Sequence, residues 1–253
     1  MSIGTKDAFV RRHFLRVTVK GVSNDDAEDE FGRIENLVLP TIRHIRAGTT
    51  IGPDQDQSVK AAMSMLWARS FALEVSRERI HREVVVEFRS NASADDELRR
   101  RFVRDRGRQP EPGDLEALVE QAAARMAKDR VHDVAAMVMA HNWAIERFRD
   151  LHVVAYQASP RQQFITSDNP VMISRDGSTL LEVGAQNRVA MGDANFIFMP
   201  LSPIVAVCLT QRAESGDELL PEQMYRLNNA MWRNAVARIA CHPSFDWSKA
   251  CAL

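Results

Sequence analysis

At about residue 150 the spacing of apolar positions changes from helical to alternating, and this limits what the chain can fold into more than any one motif does. Upstream, Phe31, Ile34, Leu37, Val38, Ile42 and Ile45 recur at helical spacing up to Gly48, and Val59, Met63, Leu66 and Leu73 continue the pattern after Asp56. Ser23 or Asn24 and the carboxylates that follow suit a helix start, and Pro40 predicts a kink. VVVEF at 84–88 also fits a strand, but its flanks favour helix. A further helix is expected over 94–106. QPEPGD at 109–114 breaks the chain, and Asp114 opens a long helix through Leu118, Ala122, Met126, Val134, Val138, Ile145 and Phe148, with a break near Lys128-Asp129.

Downstream, LHVVAYQ, QFIT, VMIS, TLLEV, FIFMP and IVAVCLT are short β-branched or aromatic runs divided by SPRQ, SDNP, RDG, GAQNR and LSP. That is the punctuation of a mostly antiparallel sheet. FLRVTVK at 14–20 alternates through Leu15, Val17 and Val19 and is expected to join this sheet. A last helix is predicted from 221 through Met224, Leu227, Met231, Ala235 and Ile239. The expected fold is α+β: a helical N-terminal half packed on a mostly antiparallel sheet, with a closing C-terminal helix. Residues 1–253 are expected to form one domain, 1–150 mainly helical and 151–253 the sheet plus final helix.

Composition excludes some function classes. Thirty-three basic and 34 acidic residues give a formal charge of −1, so no global field draws nucleic acid or an anionic membrane. The first fifteen residues lack the apolar core of a signal peptide, and no uncharged run approaches the roughly 18 residues of a membrane span, so a cytoplasmic protein without a membrane partner is expected. The 3 cysteines have no C-x-x-C spacing, and Cys208 lies in an apolar run where burial is expected. Phosphate-loop, dinucleotide, zinc-protease and nucleophile-elbow motifs are absent.

Candidate site residues cluster in FITSDNPV at 164–171. Ser167 and Asp168 suit bonds to turn N–H groups, and Pro170 holds Asn169 extended, so rigid loop geometry alone accounts for the motif. A catalytic or metal-binding Asp168 needs partners from elsewhere in the fold. His141 and Glu146 lie about 140° apart on a helix and form no i,i+4 metal pair. Arg69, in an apolar stretch, admits a structural ion pair or a fork for a carboxylate or phosphate. LRRRFVRDRGR at 98–108 carries six arginines against one aspartate. It reads either as a solvated helix face or as a phosphate-binding patch using Arg99, Arg100, Arg101 and Arg104, with Phe102 offered for stacking.

FITSDNPV at 164–171 and PLSP at 200–203 resemble the bacterial family known as domain of unknown function 4238. WARS at 67–70, through Arg69, and RLNNAMWRNAVARI at 226–239, through Asn228 and Arg238, are similar to further pieces of it. The opening AFVRRHFLR departs from the family: Ala8 stands in place of a histidine and Arg11 in place of a proline, while Arg12, Leu15 and Arg16 remain. The resemblance implies an architecture and a residue set without a mechanism. The leading expectation is a polar pocket where Asp168, Arg69, Ser167, Asn169 and Asn228 converge, binding and hydrolysing a small polar or phosphorylated ligand. There Asp168 orients water or a divalent cation, and no resident protein-bound metal site is assigned. Whether the chain is an enzyme stays open. The alternatives are a non-catalytic nucleic-acid or protein-binding module using the arginine run, and an immunity-type interaction protein whose motifs only hold the fold.

Overall fold

The computed structural model describes residues 17–19, 22–48, 51–128, 130–158, 162–175, 191–211 and 218–245. Helices α1 (Asp26–Arg46), α2 (Pro53–Ala68), α3 (Phe71–Asn91), α4 (Asp96–Arg106), α5 (Asp114–Lys128) and α6 (Arg130–Phe148) precede the main sheet, and α7 (Pro221–Asn234) follows it. The sheet has four strands, β3 (His152–Gln157), β5 (Met172–Ser174), β6 (Phe196–Pro200) and β7 (Val205–Thr210), in the order β3-β7-β6-β5 with every pairing antiparallel.

Side-chain alternation builds the molecule in layers. On one face Val205, Val207 and Leu209 of β7 and Ile197 and Met199 of β6 meet Val59 and Met63 of α2 and Ala144 and Phe148 of α6. On the other face Ala206, Phe198 and Met172 meet Met224, Leu227 and Met231 of α7. The period of two along each strand thus divides one sheet between two cores. A third cluster, Phe31, Ile34, Met65, Val134 and Met137, joins α1, α2 and α6. Helix α3 packs on α5 in a hairpin, and α4 lies at its end over a small core of Ala92, Phe102 and Leu115. This core is distinct from the other three, so α3, α4 and α5 form an arm. Asp95 caps α4 by accepting from the N–H groups of Glu97 and Leu98, and Gly107 ends it at φ 67°, a left-handed conformation that favours glycine.

Several expectations change. Strand β1 (Val17–Val19) pairs with β2 (Val22–Asn24) rather than with the main sheet, so Ser23 and Asn24 are strand residues and Asp25 precedes the helix. The proline expected within the first helix is there: Pro40 lies inside α1, on its exposed side, where water can reach the carbonyl left without a donor. Leu37 faces solvent because the buried stripe is Phe31, Ile34, Val38, Thr41 and Ile45. Of QFIT only Thr166 is in a strand, β4 (Thr166–Ser167), which pairs with β8 (Ile239–Ala240). Helix α7 stops at Asn234, five residues before Ile239. TLLEV and the opening segment through Arg16 lie outside the described residues.

Candidate functional site

The SDNP turn sits where the chain after α7 returns along β4. Thr166 pairs with Ala240 and Ser167 with Ile239. Beyond that pair, the Asp168 N–H donates to the Arg238 carbonyl at 3.1 Å. The Asp168 carboxylate then accepts three backbone N–H groups: Val236 at 3.0 Å on Oδ1, and Ala237 at 2.9 Å and Arg238 at 3.1 Å on Oδ2. Residues 236–238 follow directly on the helix, so this carboxylate replaces the carbonyl acceptors that one more helical turn would have supplied. That is why α7 ends although Ala235 and Ile239 keep its apolar spacing.

Asparagines sew the same strand to α7 from inside. Asn228 accepts from the Ile165 N–H at 3.1 Å and donates to the Gln163 carbonyl at 2.8 Å. Asn234 donates to the carbonyls of Asn169 at 2.7 Å and Val171 at 3.3 Å, and its own carbonyl accepts from the Asn169 amide at 3.2 Å. The Ser167 hydroxyl contacts the Asn169 carbonyl at 2.9 Å and the Met231 sulfur at 3.3 Å. All four polar side chains, Ser167, Asn169, Asn228 and Asn234, are buried, and burying such groups is tolerated because backbone partners replace water. Two side-chain oxygens of this region, Asn169 Oδ1 and Gln163 Oε1, are buried with no hydrogen-bond partner among the described residues. PLSP makes the turn from β6 to β7. Its Ser202 hydroxyl accepts from the N–H groups of Ile204 and Val205, and the Pro203 carbonyl accepts from the Phe164 N–H at 2.7 Å. The two most specific sequence motifs therefore touch.

Arg69, at the end of α2, donates from Nη1 to Glu35 at 2.7 Å and lies over the Phe31 ring with its guanidinium carbon 5.8 Å from the centroid. Among the described residues it makes no bond to Asp168 or Asn228; Asp168 and Asn228 likewise bond elsewhere. Buried His141 meets Ser64 through Nδ1 at 2.9 Å and Phe31 edge to face at 5.5 Å. The Ser64 hydroxyl donates to the Ala61 carbonyl at 2.9 Å, so Nδ1–H is assigned as the donor to Ser64. Burial pushes the His141 pKa down, opposed by the nearby Glu30 carboxylate. His141 stands in the sequence as a candidate and finds Ser64 rather than Glu146 as its partner, whereas Ser64 and Asn234 are buried polar residues that the sequence does not single out; the signal for Asn234 is its place six residues after Asn228 on the matched closing helix. Among the described residues no group of three or more His, Cys, Asp or Glu side chains is arranged to hold a metal ion, and no helix is long and apolar enough to cross a membrane.

In the arginine run, Arg100 pairs with Glu97 at 3.0 Å, and Arg101 and Arg104 share Asp105 at 3.8 and 3.3 Å. Arg99 donates to the Ser93 carbonyl, while Arg108 is held by Asp114 at 2.6 Å and lies 5.2 Å from the Phe102 centroid. Phe102 is buried, which corrects its expected availability for stacking.

Fold and site define a class: an α+β protein with helices on both faces of an antiparallel sheet, in which a carboxylate turn latches the last helix to the chain that enters the sheet. The chain belongs to the family described as protein of unknown function (DUF4238), whose model matches residues 1–245. No curated protein and no solved structure matches the chain.

Proposed function

We propose that the chain is a non-catalytic binding protein that meets an anionic partner with the α4 tip of its arm, while the SDNP turn serves as a clasp for the fold. The observation carrying this reading is the set of exposed guanidinia of Arg99, Arg100, Arg101 and Arg104 at the end of a hairpin with its own small core. Their ion-pair partners Glu97 and Asp105 are solvated, and exposed ion pairs of this kind contribute only about 0 to 1 kcal/mol, so a partner's anions can replace them. Asp168 by contrast already accepts three N–H groups, an arrangement suited to holding backbone rather than to taking a proton from a substrate. Retention on immobilised heparin tests the reading. Wild type is expected to elute late in a salt gradient and the Arg99→Ala/Arg100→Ala/Arg101→Ala variant early; equal elution, or wild type in the flow-through, refutes it.

A second reading keeps the turn as the seat of a small polar or phosphorylated ligand, with Asp168, Arg69 and Asn228 as its polar wall and a divalent cation as companion. The unpartnered Oδ1 of buried Asn169 favours it. Its mark is a nucleotide, sugar or divalent cation that raises the melting temperature of wild type but not of a folded Asp168→Asn variant.

A further inference from the structure

We propose that the protein associates with a second copy of itself through the outward face of α6, as an antiparallel pair with Met139 on the two-fold axis and Trp143 of each copy packed beside Ala135 of the other. This surface lies on the body and does not depend on the arm. Helix α6 turns Val134, Met137, His141, Ala144 and Phe148 inward. On its opposite side Ala135, Met139 and Trp143 follow at four-residue spacing and so share one stripe. All three are exposed, Met139 at 71% and Trp143 at 48%. A helix side that faces water is ordinarily charged or polar, yet VAAMVMAHNWAI at 134–145 contains no Asp, Glu, Lys or Arg. Polar groups begin at the margins, with exposed Asn142 to the side and the Glu146–Arg149 ion pair closing the stripe at its C-terminal end. An apolar centre bounded by polar groups is how an interface is built.

Trp143 is already held in place. Its ring lies 6.2 Å from that of Trp67, tilted by 40°, and a Cβ on Gly192 would stand 3.7 Å from it, so the ring rests close to the Gly192 backbone. A tryptophan backed by its own chain loses little freedom on binding, and tryptophan is prominent among the residues that dominate interface energies. The symmetry of the stripe selects a second copy as the occupant. A two-fold contact uses the same patch on both partners. With antiparallel helices centred on Met139, a residue four positions after it lies level with the one four positions before it on the partner. Trp143 therefore falls beside Ala135, a large side chain into the space left by a small one, and the fit is made twice, in the manner of knobs and holes. Charge permits the approach: the chain carries a formal charge of −1, so two copies repel little. Size sets the strength. Helix α6 has 19 residues and is thus about 28 Å long and 10 Å across, less than the roughly 800 Å² that each partner of a standard interface covers. The dimer is expected to dissociate in the micromolar range.

Sedimentation velocity of the full chain, run from about 1 to 100 μM, is expected to show one chain giving way to two. Trp143→Ala and Met139→Glu should each raise the dissociation constant about tenfold or more. Met139 is mostly in water, so Met139→Glu should do this without lowering the melting temperature of dilute protein. Wild type that stays a single chain at about 100 μM, or a dimer that neither substitution weakens, overturns the proposal. Cross-linking with a short bismaleimide tests the register against wild type as background. Met139→Cys faces its own copy on the axis and is expected to join into a covalent dimer. Asp150→Cys, exposed and eleven residues further along, stands about 30 Å from its copy in an antiparallel pair and is expected not to. No added cross-link at Met139→Cys, or equal cross-linking at both positions, overturns the antiparallel arrangement.

Discussion

Replacing Asp168 with alanine removes the acceptor from three consecutive N–H groups at the point where α7 stops. Hydrogen bonds to a charged group contribute about 1.5–3 kcal/mol each when well shielded, and this turn is half exposed. Asp168→Ala is therefore expected to cost about 2 to 3 kcal/mol in total and Asp168→Asn, which keeps one acceptor oxygen, about half of that. Urea unfolding checks it: the midpoint should fall in that order with an unchanged slope, and a wild-type midpoint for Asp168→Ala would mean that the clasp holds nothing. His141 makes the complementary prediction through pH. Its pKa is lowered in the folded state by burial beside Phe31, so the unfolded chain binds the extra proton more readily. The stability tied to neutral His141 is complete above its unfolded pKa, about 6.5, and is lost as pH falls below that value toward the lowered folded one. The melting temperature is expected to drop from pH 7 to pH 5, and His141→Gln should flatten that drop. A variant with the wild-type pH profile would assign the acid sensitivity to another group.

Elements whose local pattern and tertiary role agree could be read directly from sequence. Helices α2, α5 and α6 carry apolar spacing that packing then uses, and β6 and β7 are β-branched or aromatic runs bounded by turn residues. Reading fails where a distant group outbids the local pattern. Met231, Ala235 and Ile239 continue a helical stripe, yet Asp168, 68 residues before Val236, supplies the acceptor that lets the chain leave the helix. Ser23 and Asn24 look like helix caps, yet their backbone pairs with Val17 and Thr18. At the candidate site, SDNP and PLSP stood out in the sequence, and so did Asn228. What could not be read was the direction each side chain takes. Asn228 turns to the backbone at 163 and 165, Arg69 to Glu35 and Phe102 to its small core, because each choice depends on a neighbour fixed only by the fold.

Across the whole molecule, the core beneath the sheet draws on both halves of the chain. Val59, Met63, Ala144 and Phe148 come from the helices, and Val171, Ile197, Val207 and Leu209 from the region beyond residue 150. Fully burying side chains of this size contributes about 1.5–3 kcal/mol each, so cutting the chain at 150 removes the largest shared source of stability from both pieces. The pieces should fail differently. Residues 1–150 keep the cluster of Phe31, Ile34, Met65, Val134 and Met137 and so retain helices around a partial core, whereas residues 151–253 keep α7 on one face of the sheet and expose the other. The helical fragment alone is expected to show strong far-ultraviolet dichroism with a broad, shallow melt, the sheet fragment to aggregate, and the two expressed together to regain a cooperative transition. A helical fragment that melts sharply by itself would instead divide the chain into two domains at that point, with the SDNP clasp and α7 belonging wholly to the second and the arginine tip wholly to the first.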